Sequence, residues 1–217
     1  IALWTHGRDS IYHGLQTALT SRFGEGSVLS LSYTYSKAIA STGISNADGP
    51  GLSVNNAYTD GTHPELDRAR GVNDRRHAFS GTLVLGLPKF QDKGFFMKHV
   101  LGDWQATTIV QAGTGYPVTV ALTVPGLNGL SGVGNATERP DRVMSEPCTI
   151  STSNETQWLN PAAFSINGRA LGSNGTASRN VCDGPGMFQA DASLYKNISL
   201  GPRVKLQLRF EVFNIFN

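Results

Sequence analysis

The stretch KLQLRFEVF (205–213) decides how this chain is to be read. Lys205, Gln207, Arg209 and Glu211 alternate with Leu206, Leu208, Phe210 and Val212. Successive side chains of a β-strand point to opposite faces, so the segment has one charged face and one apolar face. A soluble sandwich would bury the apolar face against a second sheet. A membrane barrel would turn it outward to lipid and keep the charges inside.

Working outward, the same period of two recurs in five further segments, which places strands near 11–23, 27–37, 77–87, 103–122 and 187–199, with the opening stretch inside a sixth, 203–216. In 27–37, for example, Leu29, Leu31, Tyr33 and Tyr35 oppose Ser30, Ser32, Thr34 and Ser36. The expected fold class is all-β: an antiparallel up-and-down meander of about six long strands. The segments exceed the usual strand length of about 5–6 residues and match the roughly 9–11 tilted residues that cross a bilayer.

The connections alternate in length. GEG (24–26) and LGPR (200–203) are tight and 88–102 is intermediate, whereas 38–76 and 123–186 are long. In a meander, consecutive connections fall at opposite ends of the sheet, so the long ones share one end. That asymmetry is the pattern of outer-membrane barrels, with short periplasmic turns and long extracellular loops. On the apolar face, Phe23 and Trp104 fall at the tight-turn end, and Tyr33, Tyr35, Phe79, Phe188 and Phe216 toward the other. Two aromatic rings flanking an aliphatic band match the girdles at the two membrane interfaces. The opposite face is mostly Ser, Thr, Gln and Gly, which suits a crowded, hydrated lumen better than open solvent.

Composition agrees and narrows the function. Only 16% of residues are charged and the net charge is +2, against about 25% charged in soluble domains; the scattered, balanced charge excludes a nucleic-acid partner. No apolar run reaches the roughly 18 residues of a transmembrane helix. The chain starts at Ile1 and stops at Asn217 directly after a strand pattern, so it is expected to be a piece of a longer protein.

No catalytic, metal or cofactor site is expected. His6, His13, His63, His77 and His99 lack metal spacing, and pairing His77 with Asp74 leaves no placed nucleophile. The dense cluster in ELDRARGVNDRRHAFSG (65–81) contains Asp67, Arg68, Arg70, Asp74, Arg75 and Arg76. It could clamp an anionic ligand, but its mixed signs favour a network that pins a loop to the barrel rim. Cys148 and Cys182 lack CxxC spacing, and their loop context favours a disulfide in an oxidising compartment over two unrelated thiols.

Seven segments occur in an order that resembles the barrel region of TonB-dependent outer-membrane receptors: LSLSYTYSKAI, DRARGVNDRRHAFSGTLVLGLP, LGDWQATTIVQAGTGYPVTV, RPDRV, WLNPAAF, GPGMFQADASLYKNISLG and VKLQLRFEVFNIFN. The nearest group is the subfamily with an N-terminal carboxypeptidase-regulatory-like domain. The resemblance implies a barrel of about 22 strands in the outer membrane of a Gram-negative-type bacterium, of which residues 1–217 form a part, with plug and N-terminal domains outside this chain. It implies lipid, the TonB system (through the plug) and an extracellular ligand as partners, with no cofactor. Lys205, Gln207, Arg209 and Glu211 would then line the lumen. The rivals are a non-transporting adhesin or scaffold barrel and a soluble β-sandwich that binds carbohydrate.

Overall fold

The computed structural model describes residues 9–24, 26–41, 63–90, 92–122, 139–151, 156–167, 175–199, 201 and 203–216. In chain order the strands are β1 (Ser10–Phe23), β2 (Ser27–Ala40), β3 (Ala69–Arg70), β4 (His77–Gly86), β5 (Trp104–Gly113), β6 (Pro117–Val118), β7 (Asp141–Arg142), β8 (Phe164–Ser165), β9 (Cys182–Asp183), β10 (Met187–Ser199) and β11 (Lys205–Val212). Helical turns occupy Pro64–Asp67, Met97–Leu101 and Pro161–Ala163. The chain forms two compact units. A sheet unit comprises Leu15–Tyr35, His77–Gly113 and Met187–Asn217, and a loop unit comprises Ile1–Gly14, Ser36–Arg76 and Thr114–Gly186.

The long strands are ordered β1-β2-β4-β5-β10-β11, so each pairs with the next long strand in sequence. The ladders β2–β4, β4–β5, β5–β10 and β10–β11 are all antiparallel. This is the expected meander. The tight β1–β2 turn carries Gly24 and Gly26 at φ 53° and 82°, a left-handed geometry that glycine adopts without steric cost.

The registers settle which residues share a face. Val110 of β5 lies opposite Gly81 of β4 and Ala190 of β10, and Gly81 lies opposite Leu31 of β2. One strand further, Leu194 lies opposite both Ala106 and Phe210. The apolar parity of each strand therefore meets the apolar parity of its neighbours, forming one continuous greasy face. Ser32, Ser80 and Gln111 form a matching row on the other side, continued by Gln189.

Most of that greasy face is uncovered among the described residues. Among the described residues no large aliphatic or aromatic side chain is buried: the buried apolar residues, glycine aside, are Ala163, Ala177, Cys182, Ala190, Pro117 and Pro140, while Leu15, Leu19, Phe188 and Leu206 are exposed and Phe210 is 59% exposed. A sandwich would show the reverse, with its Leu and Phe inside.

Two strands end earlier than the alternation implies. β5 stops at Gly113 instead of continuing to residue 122. Gly115 lies so close to the Gly184 carbonyl that a Cβ there would overlap it, and Pro117 has no N–H for a ladder. Pro117 and Val118 pair instead with Asp183 and Cys182. β11 spans Lys205–Val212 rather than 203–216, because Asn214 turns left-handed at φ 52°. Its N–H then bonds Asp191 Oδ1 at 2.8 Å, and Ile215 N–H bonds the Ala190 carbonyl at 2.8 Å.

Leu31 lies on the central row of the apolar face, so in a bilayer Leu31→Arg should cost about 2–4 kcal/mol of folding free energy. Ser32→Arg, on the other face, should stay within about 0.5 kcal/mol. Urea titration of the full-length parent refolding into phospholipid vesicles checks this; equal costs would contradict the assignment of faces.

Candidate functional site

The loop unit is polar at its centre. The largest fully buried side chains are Asp74, Pro140 and Cys182, and Asp74 is the hub. Residues 71–74 form a turn closed by Asp74 N–H to the Gly71 carbonyl at 2.9 Å. β3 pairs with Ile39 and Ala40 of β2, which brings the Asp74 carboxylate against the backbone there. Oδ1 accepts the Ala38 N–H at 2.6 Å. Oδ2 accepts Arg70 Nε at 2.8 Å and lies 3.6 Å from Arg76 Nη2.

Arg70 bridges outward, with Nη1 2.6 Å from Asp183 Oδ1, while its carbonyl accepts Asn180 Nδ2 at 2.6 Å. Burial alone would lower the Arg70 pKa, but hydrogen bonding and charge from Asp74 and Asp183 outweigh it and raise it above the ordinary arginine value. A raised cationic pKa adds stability below the unfolded value and loses it only above the folded one. Both lie beyond ordinary assay conditions, so the Arg70 guanidinium itself adds no pH dependence there.

The other members of the expected cluster also find partners. Asp67 accepts Arg139 Nη1 at 3.1 Å, with both side chains almost fully buried. Arg139 Nη2 also reaches the Leu66 carbonyl at 3.2 Å. Arg68 pairs with Asp9, and Arg75 stacks 4.4 Å above the Tyr116 ring. The structure thus joins Arg70, Asp74 and Arg76 in one network and sends Asp67, Arg68 and Arg75 to separate partners.

Cys148 and Cys182 form a disulfide across 34 positions, Cα–Cα 5.6 Å. Cys182 lies in β9 beside Asp183, so the bond fastens the 148 segment next to the Arg70 bridge. Asn160 completes that fastening: its N–H bonds the Cys148 carbonyl at 3.0 Å, and Nδ2 donates to the Pro147 carbonyl at 2.9 Å. Asn160 Oδ1 caps the Pro161–Ala163 turn through the Ala162 N–H at 3.1 Å. Arg142 satisfies carbonyls around it, at Ala163 (3.1 Å), at Glu146 (2.6 Å) and at Val143.

In the sheet unit, the polar side chains of β11 bond along their own face. Gln207 Nε2 donates to Asn197 Oδ1 at 3.1 Å, and Arg209 Nη2 donates to Gln207 Oε1 at 3.1 Å. Arg209 also lies 3.5 Å from Glu211 and stacks 4.9 Å from the Tyr195 ring. Lys205 shares this parity at the strand start. His77 lies on the apolar parity, its Nδ1 2.7 Å from the Tyr33 hydroxyl and its ring 5.1 Å from that of Tyr35. Among the described residues no cluster of His, Cys, Asp or Glu could hold a metal ion.

Asp9, Asn180 and Asp183 are network members that lie outside every segment the sequence reading quoted for its cluster or its resemblance, except that Asp183 directly precedes GPGMFQADASLYKNISLG. RPDRV and WLNPAAF, by contrast, already stood out as segments and supply Arg139, Arg142 and Asn160.

An antiparallel meander with an uncovered apolar face and a hydrogen-bonded polar face defines the wall of a membrane β-barrel. The chain belongs to the family described as "Outer membrane beta barrel domain", whose model matches residues 1–217. Its place is therefore the outer membrane, with the apolar face toward lipid. No curated protein and no solved structure matches the chain.

Removing one partner of a buried ion pair typically costs about 3–5 kcal/mol. Asp74→Ala, which strands the Ala38 N–H and takes one of its two carboxylate partners from Arg70, should therefore open the loop unit locally. In the folded parent, amide exchange at Ala38 should rise by orders of magnitude, whereas Arg209→Ala should leave it unchanged. Unaltered exchange in Asp74→Ala would remove Asp74 as the hub.

Proposed function

We propose that the chain is part of the wall of a TonB-dependent receptor that takes up a large, scarce ligand, such as a siderophore or an oligosaccharide, with energy delivered by TonB. The observation that carries this reading is how the ordered motif segments fall on the structure. LSLSYTYSKAI lies within β2, LGDWQATTIVQAGTGYPVTV contains β5, and VKLQLRFEVFNIFN contains β11. DRARGVNDRRHAFSGTLVLGLP supplies both the Asp74 hub and β4, and RPDRV and WLNPAAF supply the partners that hold the loop unit together.

In this reading the loops 38–76 and 123–186 are extracellular, and the ion pairs and the Cys148–Cys182 bond keep a ligand-facing surface rigid. The strands are a static wall of a barrel of about 22 strands. Lys205, Gln207, Arg209 and Glu211 face the lumen and meet a plug domain through water and ion pairs. A second reading is a barrel that presents its loops as an adhesin or scaffold without transport. It draws support from Arg68, Arg70 and Arg76, which pair with carboxylates of the chain itself.

Coupling separates the two. The full-length parent, folded in detergent and heat-modifiable on gels, should retain a purified periplasmic TonB domain on an affinity column. A correctly folded parent that fails to retain it would favour the adhesin or scaffold reading.

A further inference from the structure

The connection between β4 and β5 carries a feature that a simple turn does not need. Residues 92–103 contain a helical turn, Met97–Leu101, none of whose side chains is buried. Phe95 and Phe96 are 79% and 63% exposed, and Met97, Val100 and Leu101 are exposed as well. Phe96 and Val100, like Met97 and Leu101, stand four apart, the spacing of one helical stripe. Lys93, Lys98 and His99 interrupt the stripe. A short segment with paired phenylalanines in water has no reason to persist at a rim.

Its position is fixed by two side chains from the lipid-facing face. Trp104 and Lys196 are register partners of the same parity as Ala106 and Leu194. Trp104 Nε1 donates to the Val100 carbonyl at 3.0 Å, and Lys196 Nζ donates to the Gly102 carbonyl. The Lys196 ammonium also lies 5.1 Å from the Trp104 ring centre, which gives a buried cation on a greasy face a partner. Both side chains leave the apolar face and grip the backbone of the segment. Residues 100 and 102 therefore lie on the lipid side of the sheet, not on its polar side.

We infer that residues 92–103 form an interfacial anchor: the apolar side chains of the turn enter the phospholipid leaflet beside the wall, and Lys93 and Lys98 lie at the headgroup phosphates. The occupant follows from continuity, because the surface that Trp104 and Lys196 share with the segment is the one that already meets lipid. Aromatic and lysine side chains are the residues that settle at this depth. An amphipathic turn of this kind buries its apolar side about 5–10 Å into the headgroup boundary. The inference needs the outer-membrane barrel but not the transport reading.

The test uses the full-length parent in phosphatidylethanolamine/phosphatidylglycerol vesicles, with NBD attached to Phe96→Cys or Phe95→Cys and, separately, to Leu31→Cys as a mid-depth reference. Labelling is done without reductant, and heat-modifiable migration verifies folding. Lipids carry a nitroxide either near the headgroup or near the chain end. A label at 95 or 96 should be quenched several-fold more by the shallow nitroxide, and a label at 31 more by the deep one. Water-like emission at both 95 and 96 with a quenched label at 31 would overturn the anchor while leaving the barrel intact. Quenching at 95 and 96 that disappears as protein-to-lipid ratio rises would assign the surface to a second copy and also overturn it. An unquenched label at 31 would sink the bilayer placement itself, and the anchor with it.

Discussion

Backbone N–H and C=O groups that cross hydrocarbon have to be bonded within the protein, because no water is there to bond them. A β-sheet meets that demand between strands, and it frees the side chains to sort by solvent alone. The rows from Leu31 through Gly81 and Val110 to Ala190 show the result. One parity is mostly greasy in each paired strand and the other mostly polar, with Val28, Val84 and Ile109 as exceptions, and among the described residues of the sheet no large apolar side chain is buried. The usual rule for a soluble protein is inverted, and the sheet has no hydrophobic core of its own because lipid takes that role.

The loop unit obeys a different constraint. Among its described residues no large aliphatic or aromatic side chain is buried, and ion pairs, side-chain caps and one disulfide hold it together. Asp74 illustrates why the pairing has to be thorough: a buried carboxylate is costly unless hydrogen bonds and cations surround it. Here it has the Ala38 N–H, Arg70 and Arg76. Arg70 then passes the charge to Asp183, next to Cys182. The covalent and electrostatic fastenings thus meet at one place, and losing the central carboxylate should loosen more than one segment.

Which residues share a face was legible because parity is local information. KLQLRFEVF states its two faces in consecutive residues, and the registers of β4, β5, β10 and β11 repeat them. Strand ends were less legible. The alternation runs on beyond Gly113 toward residue 122, but the close approach of Gly115 to Gly184 depends on a segment far along the chain. The same holds for the site. The acids and arginines of 65–81 identified themselves by density, yet Arg139 and Asp183 became visible as their partners only when distant loops were brought together. Lys196 is the clearest case of hidden logic. A lysine on a lipid-facing parity contradicts the pattern until Trp104 and the Gly102 carbonyl are seen around it.

The central claim is that the face of Leu206, Leu208, Phe210 and Val212 meets lipid while Lys205, Gln207, Arg209 and Glu211 meet water. Nitroxide side chains placed one at a time along 205–212 in the full-length parent, reconstituted in bilayers, measure this directly through collision with oxygen and with a water-soluble nickel chelate. Even positions should collide preferentially with oxygen and odd positions with the nickel chelate, alternating along the whole strand. Even positions that collide with the chelate as often as odd ones do would contradict the account.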